Sequence, residues 1–250
     1  MPRDYRALLE EIGLPQHSRR GSFEGVLELA EPLGRGRALD APCGPGLLSE
    51  ALRRMGFDVT AADLQRDVFG AGESVPFCRL DLDEPLPFCD ASFELVVCGD
   101  GIEHLENPFA AFREFARVLG DPGTLIVATP NYLNLERRLK FLWSGSVTKP
   151  LAREPGALRK NKTDRGHINP LTLVRMGYMG ESAGLELIGT RTLLRKPRQY
   201  WLAPIALVIR CFRPFLSREY ARNLFADHTF TLATLLGGKK LIAVFRKTKV

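Results

Sequence analysis

Four aspartates, Asp40, Asp63, Asp81 and Asp100, each follow a short apolar stretch that reads as a β-strand. Alone, any one of them could cap a helix or close a turn. Four in series at the ends of successive strands point instead to a ligand edge, where carboxylates accept hydrogen bonds from hydroxyl and amino groups. After the first acid runs "APCGPG", residues 41–46, with Gly44 and Gly46 ahead of a helical pattern. Glycines between a strand and a helix let a ligand approach backbone N–H groups. Two imidazoles, His104 in "DGIEH" and His167 in "RGHINP", stand where loops should border such a ligand. The chemistry they offer is proton transfer. Asp100, Glu103 and His104 together could also form an open divalent-metal site, or could simply fix the start of the next helix by hydrogen bonds.

The elements that must position these residues follow from periodicity. Strands are expected over about 36–41, in "FDVTAAD", "PFCRLDLD", "SFELVVCGD", "TLIVATP", "LELIGTRTLL" and "KKLIAVFRK". Helical spacing covers 3–12, 22–33, 46–55, "NPFAAFREFARVLG", "NYLNLERRLKFLW" and "NPLTLVRMGYMGESAG". Asn107-Pro108 opens the fourth of these helices, and Asp121-Pro122-Gly123 turns the chain into the fifth strand. Strands alternating with helices predict an α/β fold with a doubly wound, mostly parallel sheet, and ligands bind such sheets at the carboxyl ends of the strands.

The 250 residues carry a net charge of +6, but its distribution is uneven. Residues 1–136 hold 12 Lys/Arg and 23 Asp/Glu, a balance of −11; residues 137–250 hold 23 and 6, a balance of +17. A basic second half suits an anionic partner: a phosphate-bearing substrate, an acidic membrane surface or nucleic acid. The five cysteines are odd in number and form no C-x-x-C pair, which argues for reduced thiols. The opening residues lack the apolar core of a signal peptide, and no apolar run approaches the ~20 residues of a membrane span. The expected location is cytoplasmic, with room for peripheral contact with the inner face of the membrane.

A dinucleotide fingerprint requires a third glycine inside the first helix, and Leu47, Leu48 and Ser49 follow Gly46 instead. An NAD-dependent oxidoreductase is therefore disfavoured. "LDAPCGPG", "VTAAD", "LDLDEPLPF", "SFELVVCGDGIEHLENP" and "FARVLGDPGTLIVATPN" follow in order and spacing. This ordered set, over roughly residues 36–132, resembles the class I S-adenosylmethionine-dependent methyltransferases, most closely the ubiquinone-biosynthesis O-methyltransferase-like branch. The resemblance implies a Rossmann-like seven-stranded sheet with an antiparallel C-terminal strand and S-adenosylmethionine as cofactor. It further implies that Asp40, Cys43, Gly44 and Gly46 lie under the methionine moiety and that Asp63 accepts from the ribose diol. Asp81 and Leu82 would meet adenine, and Gly99 and Asp100 would line the channel near the methyl. Asp100-x-x-Glu103-His104 resembles that branch's metal-binding Glu-x-x-Glu-His, with Asp in place of the first Glu.

On this reading the chain is one methyltransferase domain. Residues 1–35 form a helical cap, 36–132 the cofactor-binding core, and 133–169 a basic loop or lid. Residues 170–250 complete the sheet, with a basic amphipathic helical insertion at about 198–227. Pro204 and Pro214 divide that insertion, and its aromatics with flanking arginines suit either a membrane interface or a helix covering the core. The combination resembles methyltransferases that act beside cell-envelope polysaccharide and lipid-linked sugar enzymes. The expected reaction is methyl transfer to a hydroxyl of a small-molecule or lipid-linked, anionic acceptor. Alternatives are a quinone-like or RNA acceptor and a non-catalytic regulator that keeps the fold. A base N-methyltransferase is disfavoured because "GDGIEH" stands where an Asn/Asp-Pro-Pro-aromatic motif would be.

Overall fold

A computed structural model describes residues 4–16, 21–146, 166–193 and 197–248. Its centre is a seven-stranded sheet. In chain order the strands are β1 (Arg37–Asp40), β2 (Asp58–Asp63), β3 (Phe77–Arg79), β4 (Phe93–Gly99), β5 (Leu119–Pro130), β6 (Leu185–Leu193) and β7 (Lys240–Lys247). The spatial order is β3-β2-β1-β4-β5-β7-β6. Strands β1 to β5 pair in parallel, and β7 is antiparallel to both β5 and β6. The doubly wound sheet and its antiparallel C-terminal strand are thus as expected.

The period of two along each strand sorts its side chains between two cores. Leu39, Val96, Cys98, Leu125 and Val127 join one cluster, while Ala38, Leu95, Val97 and Ile126 join the other. The second cluster is closed by α1 (Tyr5–Ile12), α2 (Ser22–Ala30) and α3 (Leu47–Met55) through Tyr5, Leu27, Leu48 and Leu52. The first is closed by α4 (Pro108–Val118) and α6 (Leu173–Ser182), which follows α5 (Leu135–Ser144) in the chain. Phe112 of α4 stands edge-on to Phe245 of β7, with ring centroids 5.4 Å apart.

Strand β5 starts early, at Leu119, and takes in the Asp121-Pro122-Gly123 stretch expected as a turn; three other departures have local reasons. Helix α2 stops at Ala30 and tightens into a 3-10 turn over Glu31–Leu33, because Pro32 cannot donate to an α-helical carbonyl. Helix α5 begins at Leu135, not at Asn131, because both asparagines before it take other partners. Asn134 caps the helix by accepting from Arg137 N at 2.9 Å, and Asn131 Oδ1 accepts from Leu133 N at 3.0 Å. The basic insertion resolves into a 3-10 turn (Pro197–Leu202), α7 (Ala203–Phe212), a second 3-10 turn (Arg213–Phe215) and α8 (Arg218–Asn223). Short helices α9 (Ala226–Thr229) and α10 (Leu232–Leu236) lead into β7. Most of the expected lid, residues 147–165, lies outside the described residues.

The loops leaving β1 and β4 meet directly. A Cβ on Gly101 would lie 2.2 Å from Pro42 Cδ and 2.6 Å from Cγ. A proline ring has no rotamer by which to retreat, so the two loops touch only because residue 101 is glycine. Gly101→Ala is expected to destabilise the protein by about 1–3 kcal/mol, the usual cost of overpacking a closed site. Urea denaturation of variant and parent measures it; equal midpoints would show that the loops can part freely.

Candidate active site

The glycine loop is held from three sides. Cys43 N donates to Ala62 O at 2.9 Å, Gly46 N to Cys43 O at 3.0 Å, and Gly70 N to Pro45 O at 2.9 Å. Gly46 has φ +87°, and a Cβ there would sit 2.7 Å from the Phe69 ring and 2.8 Å from Ala71 Cβ. Both the backbone turn and the close cover from Phe69 therefore require glycine. A Cβ on Gly44, at φ +52°, would meet nothing within 4 Å, and neither would one on Gly99 at the end of β4. These two glycines leave open space on either side of the β1 exit, which is what a bound nucleoside needs.

Asp63 ends β2 half-buried. Its Oδ2 accepts from Gly44 N at 2.9 Å and its Oδ1 from Gln65 N at 3.0 Å. Two backbone donors fix the carboxylate plane, and each oxygen keeps a lone pair for a ligand hydroxyl. Beyond it Arg66 lies over the rings of Phe69 and Phe77, at 5.1 and 4.7 Å from their centroids. Nothing in the sequence foreshadows this aromatic wall between β2 and β3, where the residues read only as an irregular stretch. Asp81 is half-buried, and its Oδ1 accepts from Asp83 N at 3.0 Å, while Leu82 belongs to the core. Asp83 in turn accepts from Asn107 N at 3.0 Å and so ties this loop to the start of α4.

Asp40 is 1% exposed, and Ser49 Oγ donates to its Oδ2 at 2.5 Å. The side chain expected under the methionine moiety instead braces the loop internally, from the end of β1 to the first turn of α3. Burial pushes its carboxyl up to about 7; the Ser49 hydrogen bond opposes the rise and the Asp63 charge adds to it. Burial, with Asp40 and Asp63 nearby, also pushes the Cys43 thiol up, which keeps it protonated and inert.

The histidines come together. The rings of His104 and His167 stand perpendicular with centroids 4.9 Å apart. His104 lies on a 3-10 turn (Ile102–His104) just beyond β4. His167 is brought there by Asn169, whose N–H donates to Glu103 O at 3.0 Å and whose side chain donates to Leu105 O. Tyr132 Oη and His167 Nδ1 are hydrogen-bonded at 3.0 Å, and Arg137 lies 4.6 Å over the Tyr132 ring. Burial raises the Tyr132 hydroxyl to about 12, so it stays protonated at neutral pH. Beneath the pair, Glu103 is fully buried, with Thr129 Oγ1 donating to its Oε2 at 3.1 Å. Its Oε1 has no hydrogen-bond partner among the described residues, and burial pushes its carboxyl up to about 7. Glu103, His104 and His167 each offer a ligand atom within 4.8 Å of the others. Asp100 is drawn elsewhere: at φ +58° it turns to pair with Lys240 at the start of β7. The carboxylate–imidazole group thus contains two of the three candidates from "DGIEH", and His167 stands in the place given to Asp100.

A family model described as a methyltransferase domain matches residues 39–127, the stretch that builds this edge. Over that stretch the chain matches a methyltransferase domain, which supports a class I S-adenosylmethionine-dependent methyltransferase. The ubiquinone biosynthesis O-methyltransferase of Xylella fastidiosa is 35% identical over 108 residues, which cover 40% of this chain and 44% of that protein. The chain thus spans under half the length of the curated relatives it matches. A methyltransferase structure from Bacillus halodurans superposes with a TM-score of 0.58 at 19% identity, covering 91% of this chain and 99% of the other. The 1,6-didemethyltoxoflavin N1-methyltransferase of Burkholderia thailandensis, solved with S-adenosylhomocysteine, gives 0.55 at 15% identity over 92% and 79% of the chains. These distant structures share the fold. The open backbone at Gly44 and Gly99 beside the oriented Asp63 carboxylate fits the nucleoside of S-adenosylmethionine, the cofactor these matches support.

Asp40 supplies a pH test of the loop. A carboxyl whose folded pKa of about 7 exceeds its unfolded value of 3.8 stabilises the fold at low pH, and that contribution is lost as pH rises from about 4 through 7. Asp40→Asn cannot titrate. Between pH 5 and 8, without ligand, the parent is expected to lose about 2 kcal/mol relative to the variant. Urea melts at the two pH values read this difference; a constant gap would show that Asp40 is ionised throughout.

Proposed function

We propose that the chain transfers the methyl group of S-adenosylmethionine to a hydroxyl, with the His104–His167 pair receiving the proton. The observation that carries this is the pairing itself: two imidazoles from segments 63 residues apart, pinned together by Asn169 at the carboxyl edge of the sheet. The donor is already activated as a sulfonium, so the protein's task is alignment and proton removal. The acceptor oxygen attacks the methyl carbon as the C–S bond breaks. Sulfur keeps the bonding pair, leaving S-adenosylhomocysteine, and the hydroxyl proton passes to imidazole. The hydrogen bond between Tyr132 Oη and His167 Nδ1 supports this reading, since it holds the ring in one orientation.

For the donor, Asp63 receives the ribose hydroxyls, Gly44 gives the backbone room while Gly46 makes the turn beneath its Phe69 cover, and Asp81 with Leu82 borders adenine. Asp40 and Cys43 shape the loop from beneath, and Gly99 with Asp100 borders the methyl. The relatives named as ubiquinone biosynthesis O-methyltransferases support an oxygen acceptor on a quinone-like ring. The +17 balance of the second half supports an anionic or lipid-linked acceptor, a cell-envelope saccharide among them. The favoured acceptor is an amphiphile that combines the two features: a hydroxyl-bearing head group on an apolar anchor.

A second reading is favoured by the unpartnered Oε1 of Glu103. Glu103, His104 and His167 could hold a divalent cation, which would lower the pKa of a bound acceptor hydroxyl. Glu103, already oriented by Thr129, would then provide the anionic ligand and the imidazoles the neutral ones.

Calorimetry with S-adenosylhomocysteine is expected to show binding, weakened about 10- to 100-fold in Asp63→Ala through loss of charge-assisted hydrogen bonds. Absent binding would favour a regulator that has kept only the fold. His104→Gln and His167→Gln are each expected to keep that affinity and to lower turnover of labelled methyl into a cell-envelope extract by about 10²- to 10⁴-fold. Turnover unchanged in both variants would remove the imidazoles from the chemistry. Chelation separates the two readings: activity that survives EDTA leaves the imidazoles as the base, and activity lost in EDTA and restored by a divalent cation makes them ligands.

A further inference from the structure

The chain has two tryptophans, Trp143 and Trp201, and both are exposed, at 94% and 69%. Trp143 ends α5, beside Leu142 at 82% exposure. Trp201 precedes α7, whose outward side shows Leu207, Val208 and Phe212, and Phe215 on the following turn is 83% exposed. The start of α5 and the α7 arm meet in a shared cluster. Leu135 of α5, Leu202 and Ala206 of the α7 arm, and Leu235 of α10 form a small buried cluster, and Gln199 bonds to Glu136. Each element therefore has an inner apolar side already satisfied and a second apolar side turned outward. A helix that merely covers a core has only the first.

The charge around this surface is predominantly positive. From Gln199 to Phe225 the chain carries Arg210, Arg213, Arg218 and Arg222 against a single carboxylate, Glu219. Arg210, Arg218 and Arg222 are exposed, and Arg213 pairs with Asp227. A second copy of this chain would set arginines against arginines, so self-association is opposed. An anionic bilayer offers both parts of the match at once: an acyl boundary for indole, phenyl and leucyl groups, and phosphate oxygens for guanidinium. No helix of the described residues is long and apolar enough to cross a membrane, so contact would be interfacial.

We propose that the α5–α7 face, from Trp143 through Trp201 to Phe215, seats the protein on the surface of an anionic phospholipid membrane. It lies next to the acceptor side of the site, since Tyr132 is three residues ahead of α5 and bonded to His167. The surface itself does not depend on methyl transfer. That the acceptor is drawn from the same membrane does rest on the proposed reaction.

Because both tryptophans belong to the face, intrinsic emission reports on it without background. The full chain alone is expected to emit as water-exposed indole. Vesicles of phosphatidylglycerol should shift the emission to the blue and carry the protein in flotation; phosphatidylcholine vesicles should not, and high salt should reverse the effect. Arg210→Gln/Arg218→Gln should weaken partition about 30-fold, two charges at the usual increment per basic residue, and leave S-adenosylhomocysteine affinity unchanged. Emission unmoved by phosphatidylglycerol would overturn the proposal. So would emission already blue-shifted in buffer, which would mean that the chain or a second copy covers the face; sedimentation tells these apart. Failure here with intact S-adenosylhomocysteine binding would leave the methyltransferase reading standing.

Discussion

Strands β1 and β4 are closed to solvent on both faces, and the rest of the molecule follows from that constraint. Ala38, Leu39, Leu95, Val96, Val97 and Cys98 have essentially no exposed surface. A parallel pair of this kind must have helices on both sides. Its polar business can only be done where the strands end. The acids, the glycines and the histidine turn therefore collect at one edge because hydrogen-bonded backbone and apolar side chains fill everything below it. Even at that edge the space is contested. Gly101 against Pro42, and Gly46 against Phe69, are places where the two exits and their cover come closer than any side chain would allow.

The same burial explains the two carboxyls that stand apart from the others. Asp40 and Glu103 sit on the buried side of the edge, each with one hydroxyl donor, from Ser49 and Thr129. Desolvation outweighs the hydrogen bonds that oppose it, and both are raised to about 7. Asp63 sits one step further out, with two backbone donors. Position relative to the last buried layer, more than residue type, decides which acids are braces and which can face a ligand.

How much of this is legible in the sequence follows from the range of each interaction. The strands, their order along the chain and the acids at their ends are legible, because alternation and turn residues are local signals. So is the loop at Gly44 and Gly46. The bond from Ser49 to Asp40 spans only nine residues, yet it is hidden because serine at the third position of a helix is unremarkable. The pairing of Asp100 with Lys240 and the arrival of His167 beside His104 depend on contacts across more than sixty residues. Only the sheet order and the reach of Asn169 create them. Asn131 and Asn134 look in the sequence like the beginning of a helix, whereas the fold uses both as brackets. Asn131 donates from its amide to Thr234 O at 3.0 Å, and its own N–H donates to Lys239 O at 2.8 Å.

Those brackets tie the outer layer to the chemistry. The turn from Thr129 to Asn134 carries the hydroxyl that holds Glu103, the phenol bonded to His167 and the cap of α5. The same turn grips residues 234–239, which lead into β7 and so to Lys240 and its partner Asp100. Tyr132 and Asn134, two residues apart on one buried segment, connect α5 to the imidazole pair. The proposed docking face and His167 are thus connected through this short stretch of backbone. The outward apolar face therefore has a place in the logic of the fold: it includes a helix whose cap lies two residues from Tyr132.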